Sequence, residues 1–240
     1  MPETAPRKVT LQRENVAYEV RYSDEASEPR IDVDIHGVRV VLPENSTTDP
    51  EELLKENAVW VLEKKRKYEN YREQIPDREF EEGERFPYLG EQYEIVVEQR
   101  PASQVIENEF RLAKHHVEQT SLKRALETLY RRKARELFEN RANHFADEMG
   151  VEYDKIEVRN QRTKWGSCST TGTLGLNWRL MMAPSEVIDY IVVHELAHLQ
   201  WQSHTDEFWS LVAEYDPEYR KHAYWLEENG TQLTFSHQDL

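Results

Sequence analysis

The chain has 240 residues, enough for one large domain or a compact pair, and its single cysteine, Cys168, excludes an internal disulfide and an all-thiolate metal site. With 31 basic against 46 acidic residues, the formal net charge of −15 opposes non-specific binding to nucleic acid or anionic membranes over most of the surface. Residues 1–10 lack the apolar stretch of a signal peptide and no run is long enough to span a bilayer, so the expected location is cytoplasmic.

Residues 16–22 and 31–42 alternate apolar and polar side chains at the two-residue period of strands, joined across 24–29, with His36-Gly37 as a tight turn inside the second run. The amino-terminal region is therefore expected to be β-rich. A helix is predicted over roughly 50–72, where Leu53, Leu54, Ala58, Val61, Leu62 and Tyr68 form an apolar stripe, and Ile75-Pro76-Asp77 stops it. Residues 88–98 read as one strand and 105–112 as a second, extending the amino-terminal sheet.

Ser121 caps a long helix running to about Met149, with Gly150 in the stop position and Leu122, Ala125, Leu126, Leu129, Leu137, Phe138 and Phe145 at helical spacing. Lys123, Arg124, Arg131, Arg132, Lys133 and Arg135 concentrate on this helix, and Arg159, Arg162 and Lys164 follow it. Such clusters are mostly solvated faces paired to nearby acids; the alternative is a local site for an anionic partner, DNA among them. Short strands follow at 156–159, 164–168 and 173–178, with Ser169-Thr170-Thr171-Gly172 as a turn. Cys168 reads as a small packing residue rather than a nucleophile, since no positioned base is identifiable. Residues 231–240 are expected to be a loosely ordered tail.

Pro184 and Ser185 then open a run over 186–201 whose polar residues Glu186, Asp189 and Gln200 share a narrow arc, while Ile188, Ile191, Val192, Leu196 and Leu199 cover the rest. This helix is expected to be mostly buried and to end near 201–203. Within it stands His194-Glu195-Leu196-Ala197-His198. Histidines four apart share one helical face and can reach a single metal ion, while Glu195, rotated off that line, can meet water at the metal without ligating it. Composition alone, with 9 His and 46 acidic residues, yields such a run roughly 0.06 times per chain of this length, so coincidence is a poor explanation. A third ligand is expected just past the helix. His204 is placed for it, with Glu207 as the alternative, and Ser203 or Thr205 caps the next helix. Asp189, Asp206 and Glu207 are candidate carboxylate partners for the second nitrogen of a ligating imidazole.

At these residues the chain resembles the YgjP-like metal-dependent hydrolases, zincin-type metallopeptidases. The likeness is carried by Arg159-Asn160-Gln161-Arg162-Thr163-Lys164-Trp165-Gly166-Ser167-Cys168-Ser169, Gly172, Leu176-Asn177-Trp178-Arg179-Leu180 and Pro184. It continues through Ile188-Asp189-Tyr190-Ile191-Val192-Val193, the His-Glu-Leu-Ala-His run, His204, Phe208-Trp209, Pro217, Tyr219-Arg220 and Trp225-Leu226, with Pro87-Tyr88-Leu89-Gly90 and Tyr93 upstream. The resemblance implies one zinc ion per chain on His194, His198 and His204, and Glu195 as the catalytic acid/base. The same histidine spacing occurs in metzincins, but Trp201 stands where those enzymes have Gly and no methionine turn follows.

The resulting expectation is an α+β protein. Its zincin-like catalytic core, a long helix, a small twisted sheet and a metal-bearing helix, occupies 113–230 behind a β-rich region over 1–112 that includes one helix. Its function is expected to be zinc-dependent cleavage of peptide bonds in flexible protein segments; the alternative is a metal-binding adaptor with little hydrolytic activity, associated with DNA-linked assemblies. The strand over 173–178 is expected to bind an extended peptide along its edge, with Asn177, Trp178 and Tyr190 on the substrate side and Asn177 or Tyr190 assisting the oxyanion.

Overall fold

The computed structural model describes residues 6–24, 26–34, 36–161 and 164–235. Helices and small sheets are interspersed along it, an α+β fold. The described residues up to Pro76 form one compact unit and those from Asp77 onward a second. The division thus falls well before the expected boundary after residue 112.

The first unit holds β1 (Arg7–Leu11), β2 (Glu14–Ser23), β3 (Arg30–Asp34), β4 (Gly37–Pro43), α1 (Pro50–Glu56) and α2 (Ala58–Glu73). Two antiparallel hairpins, β1–β2 and β3–β4, join through a parallel β2–β4 pair, giving the order β1-β2-β4-β3. Val16, Tyr18 and Val20 alternate into the core of this unit beside Val38, Val40 and Leu42, covered by Leu54, Val61 and Leu62 of the helices. Two expectations change here. β1 is an additional strand, turned into β2 by Gln12 and Arg13 at φ 45° and 79°. The single helix over 50–72 breaks at Asn57, whose side-chain amide donates to the Leu53 carbonyl at 2.9 Å, in competition with the helical pattern.

The second unit repeats that strand topology. β5 (Arg85–Tyr88) and β6 (Glu91–Glu98) form one hairpin, β7 (Gln104–Ile106) and β8 (Glu109–Ala113) another, and β6 pairs parallel with β8. The strand expected over 88–98 is β6, which begins at Glu91 and is the second arm of a hairpin with β5, turned at Leu89 and Gly90, both at positive φ (51° and 85°). After α3 (Lys114–Gln119), α4 (Leu122–Met149) runs between the expected caps: Ser121 Oγ accepts from the Arg124 amide, and Gly150 ends the helix in the left-handed conformation. The third sheet has β9 (Lys155–Arg159), β10 (Gly166–Cys168) and β11 (Thr173–Asn177) in the order β10-β11-β9.

A 3-10 helix (Trp178–Met182) leads into α5 (Ser185–Ala197), followed by α6 (Asp206–Tyr215), α7 (Tyr219–Asn229) and a last 3-10 turn (Gly230–Leu233). α4 packs along α5, as expected, and a two-point ion pair ties them: Arg141 donates to both carboxylate oxygens of Asp189 at 2.6 and 2.7 Å. The expected loose tail is ordered through residue 235. Phe235 is fully buried, with ring centroids 5.0 Å from both Trp178 and Phe80, and Arg78 holds the Gln232 and Thr234 carbonyls. Burying a phenylalanine is worth about 1.5–3 kcal/mol, which offsets part of the cost of ordering these residues, about 1–2 kcal/mol each. Residues 236–240 lie outside the described residues.

Candidate metal centre

α5 is apolar on nearly every face, and Val187, Ile188, Ile191, Val192, Val193, Leu196 and Ala197 are buried. Ala197 is its last residue, earlier than the expected end near 201–203. Beyond it the chain tightens: the Leu199 amide donates to the Leu196 carbonyl, and the Trp201 amide to that of Ala197. This turn brings the Trp201 carbonyl to 3.0 Å from His198 Nδ1. A backbone carbonyl thus meets the second nitrogen of His198 and leaves Nε2 free to face the other histidines. Asp189, one of the carboxylates weighed for that task, is occupied by Arg141.

His194, His198 and His204 come together, with one donor atom from each within 4.8 Å of the others. His194 Nε2 and His204 Nε2 are 3.1 Å apart. Burial, and then the neighbouring His198 and His204, push His194 down to about 3, so it is held neutral. His198 is also lowered, chiefly by burial. Three imidazoles, each offering one ring nitrogen to the same small space, are an arrangement that a shared cation satisfies; the donor set fits a divalent metal.

His204 lies on the exposed link between α5 and α6. Thr205 caps α6, accepting from the Phe208 amide, so that helix turns Phe208 and Trp209 back onto the cluster. The His204 ring stacks on Trp209 at 5.5 Å and 20°, and Trp209 stacks on Tyr219 at 5.2 Å and 17°. Glu207 is outside the group, its carboxyl exposed and held below the usual range by the Thr205 hydroxyl.

Glu195 is 5% exposed, and burial raises its carboxyl to about 7, partly opposed by Lys164. It lies against β10: the Gly166 backbone passes directly beside its carboxyl group. Cys168 is pushed up to about 11 by burial and by Glu195, so its thiol stays protonated, in keeping with a packing role.

A family model described as YgjP-like, metallopeptidase domain, matches residues 27–229. The chain belongs to this family. It is a metal-dependent peptidase. Two solved structures are also similar to it, both metallopeptidase zymogens: abylysin of Pyrococcus abyssi at 23% identity, 40% of this chain, 97% of that one and a TM-score of 0.34; and jannalysin of Methanocaldococcus jannaschii at 23%, 38%, 94% and 0.35. No curated protein matches the chain.

The substrate-side candidates of this YgjP-like peptidase fare differently. Asn177 is 2% exposed: its amide nitrogen donates to the Gln161 and Lys164 carbonyls and its oxygen accepts from the Arg179 amide, so it clamps the loop before β10. Trp178 is buried in the core and donates to Asn160 Oδ1. Both side chains are thus engaged within the fold. β11 is also the central strand, paired on both sides, so it has no edge for a peptide; the edge strand toward α5 is β10. Tyr190 does touch the centre, its ring edge-on to His194 at 5.8 Å, and burial, then Asp216, Glu195 and Tyr219, raise its hydroxyl to about 12.

Four of the basic residues of α4 have partners within the chain: Arg131 pairs with Glu127, Lys133 with Glu136, Arg132 reaches the Ser103 carbonyl, and Lys123 lies over Phe80. Arg159 pairs with Glu157. Arg162 lies outside the described residues. No helix among the described residues is long and apolar enough to cross a membrane.

Proposed function

We propose that this chain is a zinc peptidase cleaving peptide bonds in flexible polypeptide segments, with His194, His198 and His204 holding the ion and Glu195 handling the proton. The observation that carries this reading is the convergence of three imidazole donors within 4.8 Å beside a buried carboxyl group. Three nitrogen ligands with one open position favour zinc among the divalent metals. When bound, the ion supplies Lewis acidity, making water a nucleophile near neutral pH and polarising the scissile carbonyl.

The remaining work falls to the protein. Glu195, a buried carboxyl group next in the chain to His194, is assigned to take a proton and give it back, first as base toward water, then as acid toward the leaving amine. His194, kept neutral by burial, does not compete for that proton. β10 offers an unpaired strand edge, and an extended peptide adding to it gains main-chain hydrogen bonds that a helical segment cannot supply. Tyr190, whose ring is edge-on to His194, is assigned to orient that imidazole or meet the carbonyl oxygen.

The test is metal content followed by cleavage of dye-quenched unfolded casein by wild type and Glu195→Gln. Stoichiometric zinc in both, with cleavage lost in the variant, is the expected result; undiminished cleavage by Glu195→Gln would sink the mechanism.

A further inference from the structure

Glycine usually marks a backbone conformation that other residues avoid. Gly37, Gly83, Gly90, Gly150 and Gly172 all sit at positive φ, whereas Gly166, in β10, does not. Backbone geometry therefore does not require glycine at 166. Its neighbour across the strand–helix contact does. A Cβ on Gly166 would lie 2.7 Å from both Cγ and Cδ of Glu195 and closer still to Oε1, where ordinary contact begins at 3.4 Å.

The Glu195 carboxyl group thus occupies the volume that a side chain at 166 would fill. Being 5% exposed, it cannot swing into solvent to make room. Cys168, two residues along and on the same face of β10, senses the Glu195 charge as well, so this face looks onto the carboxylate along its length. The atoms that would meet a methyl are the far end of a side chain rather than backbone. The strand can therefore stay while the carboxylate retreats, by roughly 1 Å, a displacement of the size that costs about a hundredfold in rate when it moves a catalytic group.

We propose that Gly166 is a positioning residue: its bare Cα is the seat of the Glu195 carboxyl group, so a methyl there damages the reaction far more than the fold. This rests on the reading of Glu195 as the proton-handling group.

The test uses the full chain as Gly166→Ala, Glu195→Gln, Glu195→Ala and the Gly166→Ala/Glu195→Ala double variant, with dye-quenched unfolded casein as substrate. Gly166→Ala should keep zinc affinity within about twofold and KM near wild type while kcat falls roughly a hundredfold. In the Glu195→Ala background, where the obstructing atoms are gone, Gly166→Ala should leave Tm unchanged. A kcat within twofold of wild type overturns the proposal, as does an equal loss of Tm from Gly166→Ala in both backgrounds. If Gly166→Ala alone fails to fold, recovery of folding in the double variant supports the seat, and failure there overturns it. An inactive Glu195→Gln beside a fully active Gly166→Ala refutes the inference alone, whereas an active Glu195→Gln refutes the reading on which it rests.

Discussion

Trp209→Ala should weaken zinc binding without touching a ligand. His204 is on an exposed link, and its ring is oriented by the parallel stack on Trp209 at 5.5 Å and the edge contact with Phe208 at 4.8 Å. Trp209 is backed in turn by Tyr219, whose hydroxyl accepts from Arg220 Nε at 3.0 Å. Removing the indole forfeits, among its ring contacts, the stack on His204, about 0.5–1.5 kcal/mol, and returns some rotamer freedom to that imidazole, about 0.5 kcal/mol. The sum, about 1–2 kcal/mol, corresponds to zinc affinity weaker by roughly 5- to 30-fold. Competition against a chromophoric chelator measures this directly, with Tm checking that α6 still folds around the buried Phe208. Trp209→Phe, which keeps an aromatic face, should recover most of the affinity. Unchanged affinity in a folded Trp209→Ala protein would refute the claim that stacking sets the position of His204.

Further predictions concern the fold and the one thiol. Cys168, raised to about 11, should alkylate slowly at pH 8 and about tenfold faster per unit as pH rises toward that value; rapid modification at neutral pH would contradict its protonated, packed state. Phe235→Ala should cost about 3–5 kcal/mol in urea unfolding of the full chain, while a cost below 1 kcal/mol would mean the segment is not docked in the core. Asp189→Ala leaves Arg141 without its two-point partner on a quarter-exposed surface, so a loss of about 1–2 kcal/mol is expected, and an unchanged denaturation midpoint would show that the pair contributes nothing.

What the sequence made legible follows from signals that are local. Ser121 and Gly150 mark α4 because caps act within one turn, and the His-Glu-Leu-Ala-His run marks α5 because histidines four apart share a face. The brief strands of the third sheet were also readable from their flanking turns. Their order in space was not: β11 follows β10 in the chain yet lies between β10 and β9, so the strand chosen for peptide binding is the one with no free edge. Turns without glycine at the first position, at Gln12-Arg13 and Leu89-Gly90, hid β1 and the β5–β6 hairpin. The shared topology of the first two sheets leaves no sequence period, since it lives in pairing rather than in residues. In the sequence Gly166 is one residue of the block from Arg159 to Ser169. Its meaning depends on a residue 29 positions away, Glu195, and appears only when both are placed.

In the proposed centre three imidazoles hold the metal. Zinc-edge X-ray absorption on the purified protein tests it most directly, because it counts imidazole scatterers and separates nitrogen from sulfur. Three imidazoles in the wild type and two in His204→Ala are predicted. A sulfur scatterer from Cys168, or a wild-type signal unchanged by loss of His204, would contradict it.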